Sequence, residues 1–381
     1  MIIINYIDYL MIIIKSYPFI IKTSIFFIMI NIIMVFMIGT NLFIVIKKKK
    51  NIENRINELK EWLLELLENG LEFTEEEIFN SFEFKFGKVK KQDLRSITYA
   101  LEDIIYKNRE YRKSVNFNKI IKTFDIITQI ERKLDFSGKK IRFGVFKRLY
   151  ILGLSISDSK ILPHTFSKNA YIRQESRISY MSISKNNPFK FFENDNNELN
   201  QWNQMVLLEQ FSLYENSLPD FSRWIKYSKE PTQIIFFTRM ISHFKQKNSS
   251  STLVELISSE NHEIRKEAIL ALGRMGYTAI ENKLIEIYNS QPFICQDAII
   301  ESILYLKTGR SFDFLKNAYL LNSNYNSKKL IAEVLYLYGR KGRSFFNKQL
   351  KYENGFNKLI LLHVKNPLIK SDLRERFKKT N

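Results

Sequence analysis

The feature that most constrains this chain is an uncharged apolar run near its N-terminus. The run covers residues 24–46 and reads SIFFIMINIIMVFMIGTNLFIVI. As a helix it would be about 34 Å long, which is enough to cross a hydrocarbon core of roughly 30 Å. The run ends in bulky residues and lysines follow directly, whereas a cleaved signal peptide has a shorter core and small residues before its cleavage site. We therefore predict an uncleaved transmembrane helix over residues 24–46.

Four consecutive lysines follow this run immediately: Lys47, Lys48, Lys49 and Lys50. Positive flanks of a membrane helix stay in the cytoplasm, and only two lysines precede the run. We expect a single-pass protein of the inner (plasma) membrane with its C-terminal domain in the cytoplasm. The lysines act as a topology signal or, in a second interpretation, bind specific lipids. Residues 1–23 form a shorter apolar segment that lies in the membrane interface or reflects a misassigned start codon.

The rest of the chain has the composition of a helical protein. Its 381 residues include only 12 Gly and 7 Pro, and a sandwich or barrel needs turn residues every eight to twelve positions. We therefore predict an all-α fold. The net charge of +19 favours acidic partners. The only cysteine, Cys295, rules out an intramolecular disulfide or a cysteine cluster and is expected in the core.

Glycines and basic residues recur together in the C-terminal half. Gly276, Gly309 and Gly342 follow one another at intervals of 33 residues. Two positions before each lies a basic residue, namely Arg274, Lys307 or Arg340. We expect each glycine to end a helix in the left-handed conformation, with the basic residue in the last helical turn. A helix–turn–helix unit of this length, repeated, predicts an α-solenoid.

One segment carries a specific family resemblance. Residues 251–276, read from Ser251, are STLVELISSENHEIRKEAILALGRMG, which resembles a HEAT repeat of the short bacterial, PBS-lyase-like type. The matching residues are Leu253, Leu256, Ile264, Arg265, Ala268, Leu272, Gly273 and Gly276. A similar Ile-Arg pair occurs in YIRQES, which contains Arg173. A chain with an anchor and such an array is also similar to membrane-anchored HEAT-repeat proteins of the Bacteroidetes.

The resemblance implies structural roles for several residues. An arginine at the positions of Arg173 and Arg265 would pair with an acid of a neighbouring turn, although ligand binding is an alternative. Ala268 would pack between helices. The expected organisation is an N-terminal apolar segment (1–23), the transmembrane helix (24–46), a basic linker with an irregular helical region (47–144), a HEAT-like α-solenoid (145–350), and a C-terminal cap with a basic tail (351–381).

Five basic residues near the glycines are expected to line one edge of the array, and we call them the basic edge: Arg274, Lys307, Arg310, Arg340 and Arg343. They either complement helix C-termini or form a surface for an anionic partner. The sequence contains no recognisable catalytic motif, and we expect neither a cofactor nor a metal. His262 and Glu263 form an isolated pair, whereas the HEAT-repeat hydroxylases need several such pairs for their metals.

The favoured function is a membrane-anchored cytoplasmic scaffold or adaptor that binds a protein partner at the inner membrane. By analogy alone, that partner is a membrane enzyme such as a glycosyltransferase. Membrane-proximal binding of nucleic acid or anionic lipid is the alternative, with nucleic acid the less favoured of the two because no aromatic residues interleave with the basic edge for base stacking. An enzyme without a recognisable motif is the third hypothesis.

Overall fold

The residues described form helices and no β-strand, which confirms the prediction of an all-α protein. The structure is a computed structural model, and it describes residues 18–136, 138–214, 216–306, 308–369 and 371–380. The chain divides into two compact units, Met1–Ile156 and Ser157–Asn381. Residue 145, where the sequence predicted the repeats to begin, lies inside a helix of the first unit.

The first unit contains six α-helices within its described part. They are α1 (Phe19–Glu68), α2 (Glu75–Phe86), α3 (Lys91–Lys107), α4 (Val115–Thr123), α5 (Ile126–Phe136) and α6 (Lys139–Leu152).

Helix α1 joins the apolar run to the folded part of the unit without a break. The apolar half of this 50-residue helix is exposed, and it is long and apolar enough to cross a membrane. Residue 47, where the sequence predicted a basic linker and irregular helical region to begin, lies within α1, and Lys47, Lys48, Lys49 and Lys50 are all on its exposed turns. The helix ends at Glu68, immediately before Asn69 and Gly70.

The last turns of α1 form the centre of the first unit's core. Leu59, Trp62 and Leu63 are almost completely buried. The Trp62 ring lies 5.6 Å from the Phe82 ring of α2 and 6.1 Å from the Phe124 ring, centroid to centroid. Large aromatic side chains contribute much of the burial energy of a protein core. The apolar run and part of the core therefore belong to one continuous helix.

The second unit contains fourteen further α-helices within its described part. They are α7 (Asp158–Ile161), α8 (Ala170–Ile183), α9 (Gln201–Ser212), α10 (Ser222–Tyr227), α11 (Pro231–His243), α12 (Ser250–Leu256), α13 (His262–Arg274), α14 (Glu281–Ile287), α15 (Phe293–Leu306), α16 (Phe312–Leu321), α17 (Tyr325–Leu337), α18 (Arg340–Tyr352), α19 (Gly355–Lys365) and α20 (Asp372–Thr380).

These helices pack in chain order. Helix α13 contacts α11 and α15, and α17 contacts α15 and α19. The helices α12, α14, α16 and α18 each contact the helix that follows them. The pair α18 and α19 extends past residue 350, where the sequence predicted the array to end. Ala268 of α13 is fully buried in this packing.

The predicted role of the glycines is correct at two positions and wrong at the third. Gly276 and Gly309 have φ angles of 69° and 78°, in the left-handed region that glycine tolerates best. Gly342 instead lies within α18, and the left-handed residue of that connection is Gly339, with φ of 99°. A Cβ on Gly342 would collide with the Leu335 carbonyl oxygen, so this position requires glycine for close packing.

Candidate partner-binding surface

Three exposed aromatic residues occupy the same place in successive helical pairs, and we call them the aromatic row: Phe293, Tyr325 and Phe356. Phe293 and Tyr325 are the first residues of α15 and α17, and Phe356 is the second residue of α19. Their exposed fractions are 62%, 58% and 56%, respectively. The rings of Tyr325 and Phe356 lie 4.6 Å apart, edge to face.

A groove lies beside the first two members of the aromatic row. It has a volume of about 410 Å³ and is lined by residues that are all uncharged: Tyr288, Asn289, Phe293, Gln296, Phe314, Asn317, Ala318, Leu321, Asn322, Ser323 and Asn324. Asn289 and Asn317 are exposed, and within the described part of the chain their side chains make no hydrogen bond. An uncharged groove with available amides suits an extended peptide segment, because amides both donate to and accept from a peptide backbone.

The wall of the groove is held rigidly. The Tyr288 and Phe314 rings meet edge to face at 5.0 Å. The Gln296 side chain donates a hydrogen bond of 3.0 Å to the Tyr288 carbonyl oxygen. Burial raises the pKa of Tyr288 above its ordinary value, so its hydroxyl stays protonated.

The N-cap of α17 fixes the position of Tyr325. The Asn324 side chain accepts hydrogen bonds from the backbone N–H groups of Asn326 (3.0 Å) and Ser327 (3.2 Å). Asparagine is among the best residues at this position. Because Tyr325 is the next residue in the chain, this cap also fixes the backbone of Tyr325.

The basic edge is not a uniform surface. Arg274 lies 3.6 Å from the Glu267 carboxylate and 3.5 Å from the Glu301 carboxylate, and both glutamates are nearly buried. Glu267 also pairs with Arg239 of α11 at 2.8 Å. Arg274 therefore links α13 to α15 through ion pairs. Lys307 lies outside the described residues.

The other members of the basic edge are exposed. Arg310 precedes α16, while Arg340 and Arg343 lie in the first turn of α18. The prediction that Arg340 sits in the last turn of a helix is wrong, because α17 ends at Leu337. Positive charge at a helix N-terminus opposes the helix dipole, so complementation of a helix end does not account for Arg340 or Arg343. The Arg343 guanidinium packs over the Tyr336 ring at 5.2 Å.

Among the residues that the structure describes, the arginines of the two Ile-Arg motifs do not pair with acids. Arg173 donates to the Ser167 carbonyl oxygen at 2.6 Å, and Arg265 contacts the His262 ring. Neither guanidinium is within 4.0 Å of a carboxylate in the described part of the chain. Each motif nevertheless starts a helix after a capping asparagine: Asn169 caps α8 and Asn261 caps α13.

The arginine that does form a buried ion pair is one that sequence reasoning missed. Arg177, one turn after Arg173, lies 2.7 Å from the Asp195 carboxylate, and both side chains are almost completely buried. It also donates a 3.0 Å hydrogen bond to the Thr165 carbonyl oxygen and packs over the Phe191 ring. Cys295 is buried, as expected, and burial raises the pKa of its thiol.

Among the residues that the structure describes, no group of three or more His, Cys, Asp or Glu side chains is arranged to hold a metal ion. Neither a scan against protein-family models nor a search of curated proteins finds a match to this chain.

Proposed function

We propose that this protein is a membrane-anchored helical-repeat adaptor whose aromatic row binds a protein partner. In this account α1 crosses the inner membrane, and Lys47, Lys48, Lys49 and Lys50 keep the remainder in the cytoplasm. The helices from α11 to α19 form a solenoid in which each pair buries its apolar face against its neighbours. The HEAT-like pattern of residues 251–276 and the packing of helices in chain order support this arrangement.

The observation that carries the proposal is the aromatic row. Three large aromatic side chains remain exposed at equivalent positions of α15, α17 and α19, and the first two lie beside an uncharged groove. Contiguous exposed apolar surface marks interaction sites in soluble domains, and aromatic residues are enriched at the centres of protein interfaces. A membrane anchor would confine the bound partner and raise its effective concentration there.

The test is recovery of a partner from membranes after detergent extraction. The variant Phe293→Ser, Tyr325→Ser, Phe356→Ser should lose a stoichiometric partner that the wild type retains. The matched control replaces three exposed aromatic residues outside the row, Tyr106, Phe136 and Tyr227, and should retain it. Equal recovery with all three proteins, or no stoichiometric partner with any of them, would contradict the proposal.

A second candidate function is recognition of an anionic partner by the exposed part of the basic edge. The observation that favours it is the placement of Arg340 and Arg343 at a helix N-terminus, where they do not improve helix stability. Replacing Arg310, Arg340 and Arg343 by glutamine should then weaken binding and flatten its dependence on salt. Unchanged retention on DNA and on anionic vesicles would exclude this second function.

A further inference from the structure

The connection between α2 and α3 carries three exposed lysines close to the end of the apolar run. Lys88 and Lys90 lie in the connection itself, and Lys91 begins α3. None of the three has a carboxylate within 4.0 Å in the part of the first unit that the structure describes. Their charges are therefore not neutralised by the protein.

Arg55 of α1 fixes this connection beside the anchor helix. Its guanidinium lies 3.1 Å from the Asp93 carboxylate, donates to the Phe86 carbonyl oxygen at 3.3 Å, and packs 4.7 Å from the centre of the Phe86 ring. Asp93 is buried and also accepts a hydrogen bond of 3.1 Å from the Lys90 backbone N–H. Arg55 thus holds both ends of the connection, through Phe86 at the end of α2 and Asp93 at the start of α3.

The direction of α3 places the connection toward the membrane end of α1. Asp93 near the start of α3 pairs with Arg55 at 3.1 Å, and Asp103, ten residues later, pairs with Lys60 at 2.8 Å. Helix α3 therefore runs in the same direction as this part of α1, and its first residues and the connection before them lie toward Lys50. Arg55 is five residues from Lys50, or about 8 Å along the helix axis.

These distances match the thickness of a lipid headgroup layer. If the hydrocarbon core ends near Ile46, the four lysines after it cross about 6 Å, and the headgroup region is roughly 5–8 Å thick on each side. Lys88, Lys90 and Lys91 then lie within a lysine side chain's length of the headgroup surface, and within the Debye length of about 8 Å at physiological salt.

We propose that Lys88, Lys90 and Lys91 form a second membrane contact, which binds the anionic phospholipid headgroups of the leaflet next to Lys47–Lys50. This inference rests on the membrane anchoring proposed above. Each basic residue near an anionic surface strengthens attachment about fivefold (about 1 kcal/mol). Because α1 continues into the core, this contact restrains the orientation of the first unit as well as its distance from the bilayer.

The experiment measures lysine acylation rates by mass spectrometry in the full-length protein. The protein is placed in nanodiscs of phosphatidylcholine alone, or of phosphatidylcholine mixed with phosphatidylglycerol. Acylation of Lys88, Lys90 and Lys91 should be about fivefold or more slower in the anionic discs. The difference should disappear in about 1 M salt, where the Debye length falls to roughly 3 Å.

Lys119 and Lys122 are the matched controls. Lys119 pairs with Glu72 at 2.6 Å, and Lys122 is next to Thr123, which contacts the Glu75 backbone at the opposite end of α2. Their rates should not depend on lipid charge. Equal rates for Lys88, Lys90 and Lys91 in the two kinds of disc would overturn the second contact while leaving the anchor intact. Failure of the protein to enter either disc would overturn the anchor, and the second contact with it.

Discussion

Gly273 of α13 lies directly against Ser302 of α15. A Cβ built on Gly273 would be 2.7 Å from both the Cα and the Cβ of Ser302. The Ser302 hydroxyl donates a hydrogen bond of 2.8 Å to the Ile269 carbonyl oxygen, one turn earlier on α13. The two helices can approach this closely only because position 273 has no side chain.

Replacing Gly273 by alanine should therefore destabilise the second unit. The new methyl group has to displace backbone, and such overpacking costs about 1–3 kcal/mol. Gly144 in α6 is the matched control, because a Cβ there meets nothing within 4 Å. Gly144→Ala should raise stability by about 0.5–1 kcal/mol through helix propensity. Thermal unfolding in detergent should show opposite shifts, and a gain in stability for Gly273→Ala would contradict the close packing of α13 on α15.

Single replacements in the basic edge should change the free energy of unfolding in opposite directions at Arg274 and Arg340. Arg274→Gln removes the partner that Glu267 and Glu301 share, and leaving nearly buried carboxylates underpaired costs roughly 1–3 kcal/mol. Arg340→Gln removes an exposed charge from a helix N-terminus and should gain about 0.3–1 kcal/mol at low ionic strength. Denaturant titration of both variants checks the signs. Equal losses would show that both arginines serve the fold in the same way.

Replacing either member of the Arg177–Asp195 ion pair should lower the stability of the protein. Arg177→Met or Asp195→Asn leaves one buried group without its partner, and breaking a buried pair in this way costs about 3–5 kcal/mol. The double variant should be more stable than the sum of the two single losses predicts, because neither buried charge is then left alone. Additive losses in a double-mutant cycle would mean that the two side chains do not interact energetically.

The carboxyl groups of Asp297 and Asp103 should affect the pH dependence of protein stability in opposite directions. Burial raises the pKa of Asp297 in α15, so its stabilising effect is present below the unfolded pKa and lost as the pH rises through the folded pKa. Asp297→Asn should therefore stabilise the protein at neutral pH and have little effect in acid. The hydrogen bond from Lys60, 2.8 Å away, lowers the pKa of Asp103. Asp103→Asn should therefore destabilise the folded protein at neutral pH. The same sign for both variants at neutral pH would contradict this assignment.

Local patterns in the sequence predicted local structure well. Thr74 and Glu77 form a capping box, in which the Thr74 hydroxyl accepts from the Glu77 N–H at 3.2 Å and Glu77 accepts from the Thr74 N–H at 2.7 Å. Such contacts involve residues three apart, so their partners are visible in the sequence. The end of α1 before Asn69 was predictable for the same reason.

Longer-range features were harder to predict. Gly339 replaces Gly342 as the left-handed residue because the last connection is three residues shorter than a strict period requires. The partner of Arg177 is 18 residues away and has no fixed spacing. The aromatic row did leave a signal, since Phe293, Tyr325 and Phe356 each follow a polar turn at intervals of 32 and 31 residues. That period was masked by the many other aromatic residues of the chain.

Membrane fractionation tests the central claim most directly. If α1 anchors the protein, a carbonate wash should leave the full-length chain in the membrane pellet, and deletion of residues 1–50 should release it. A protease added to intact spheroplasts should leave the C-terminal part uncut if, as we propose, that part lies in the cytoplasm. Full-length protein in the soluble fraction after the wash would contradict the anchor, and digestion of the C-terminal part in intact spheroplasts would contradict the orientation.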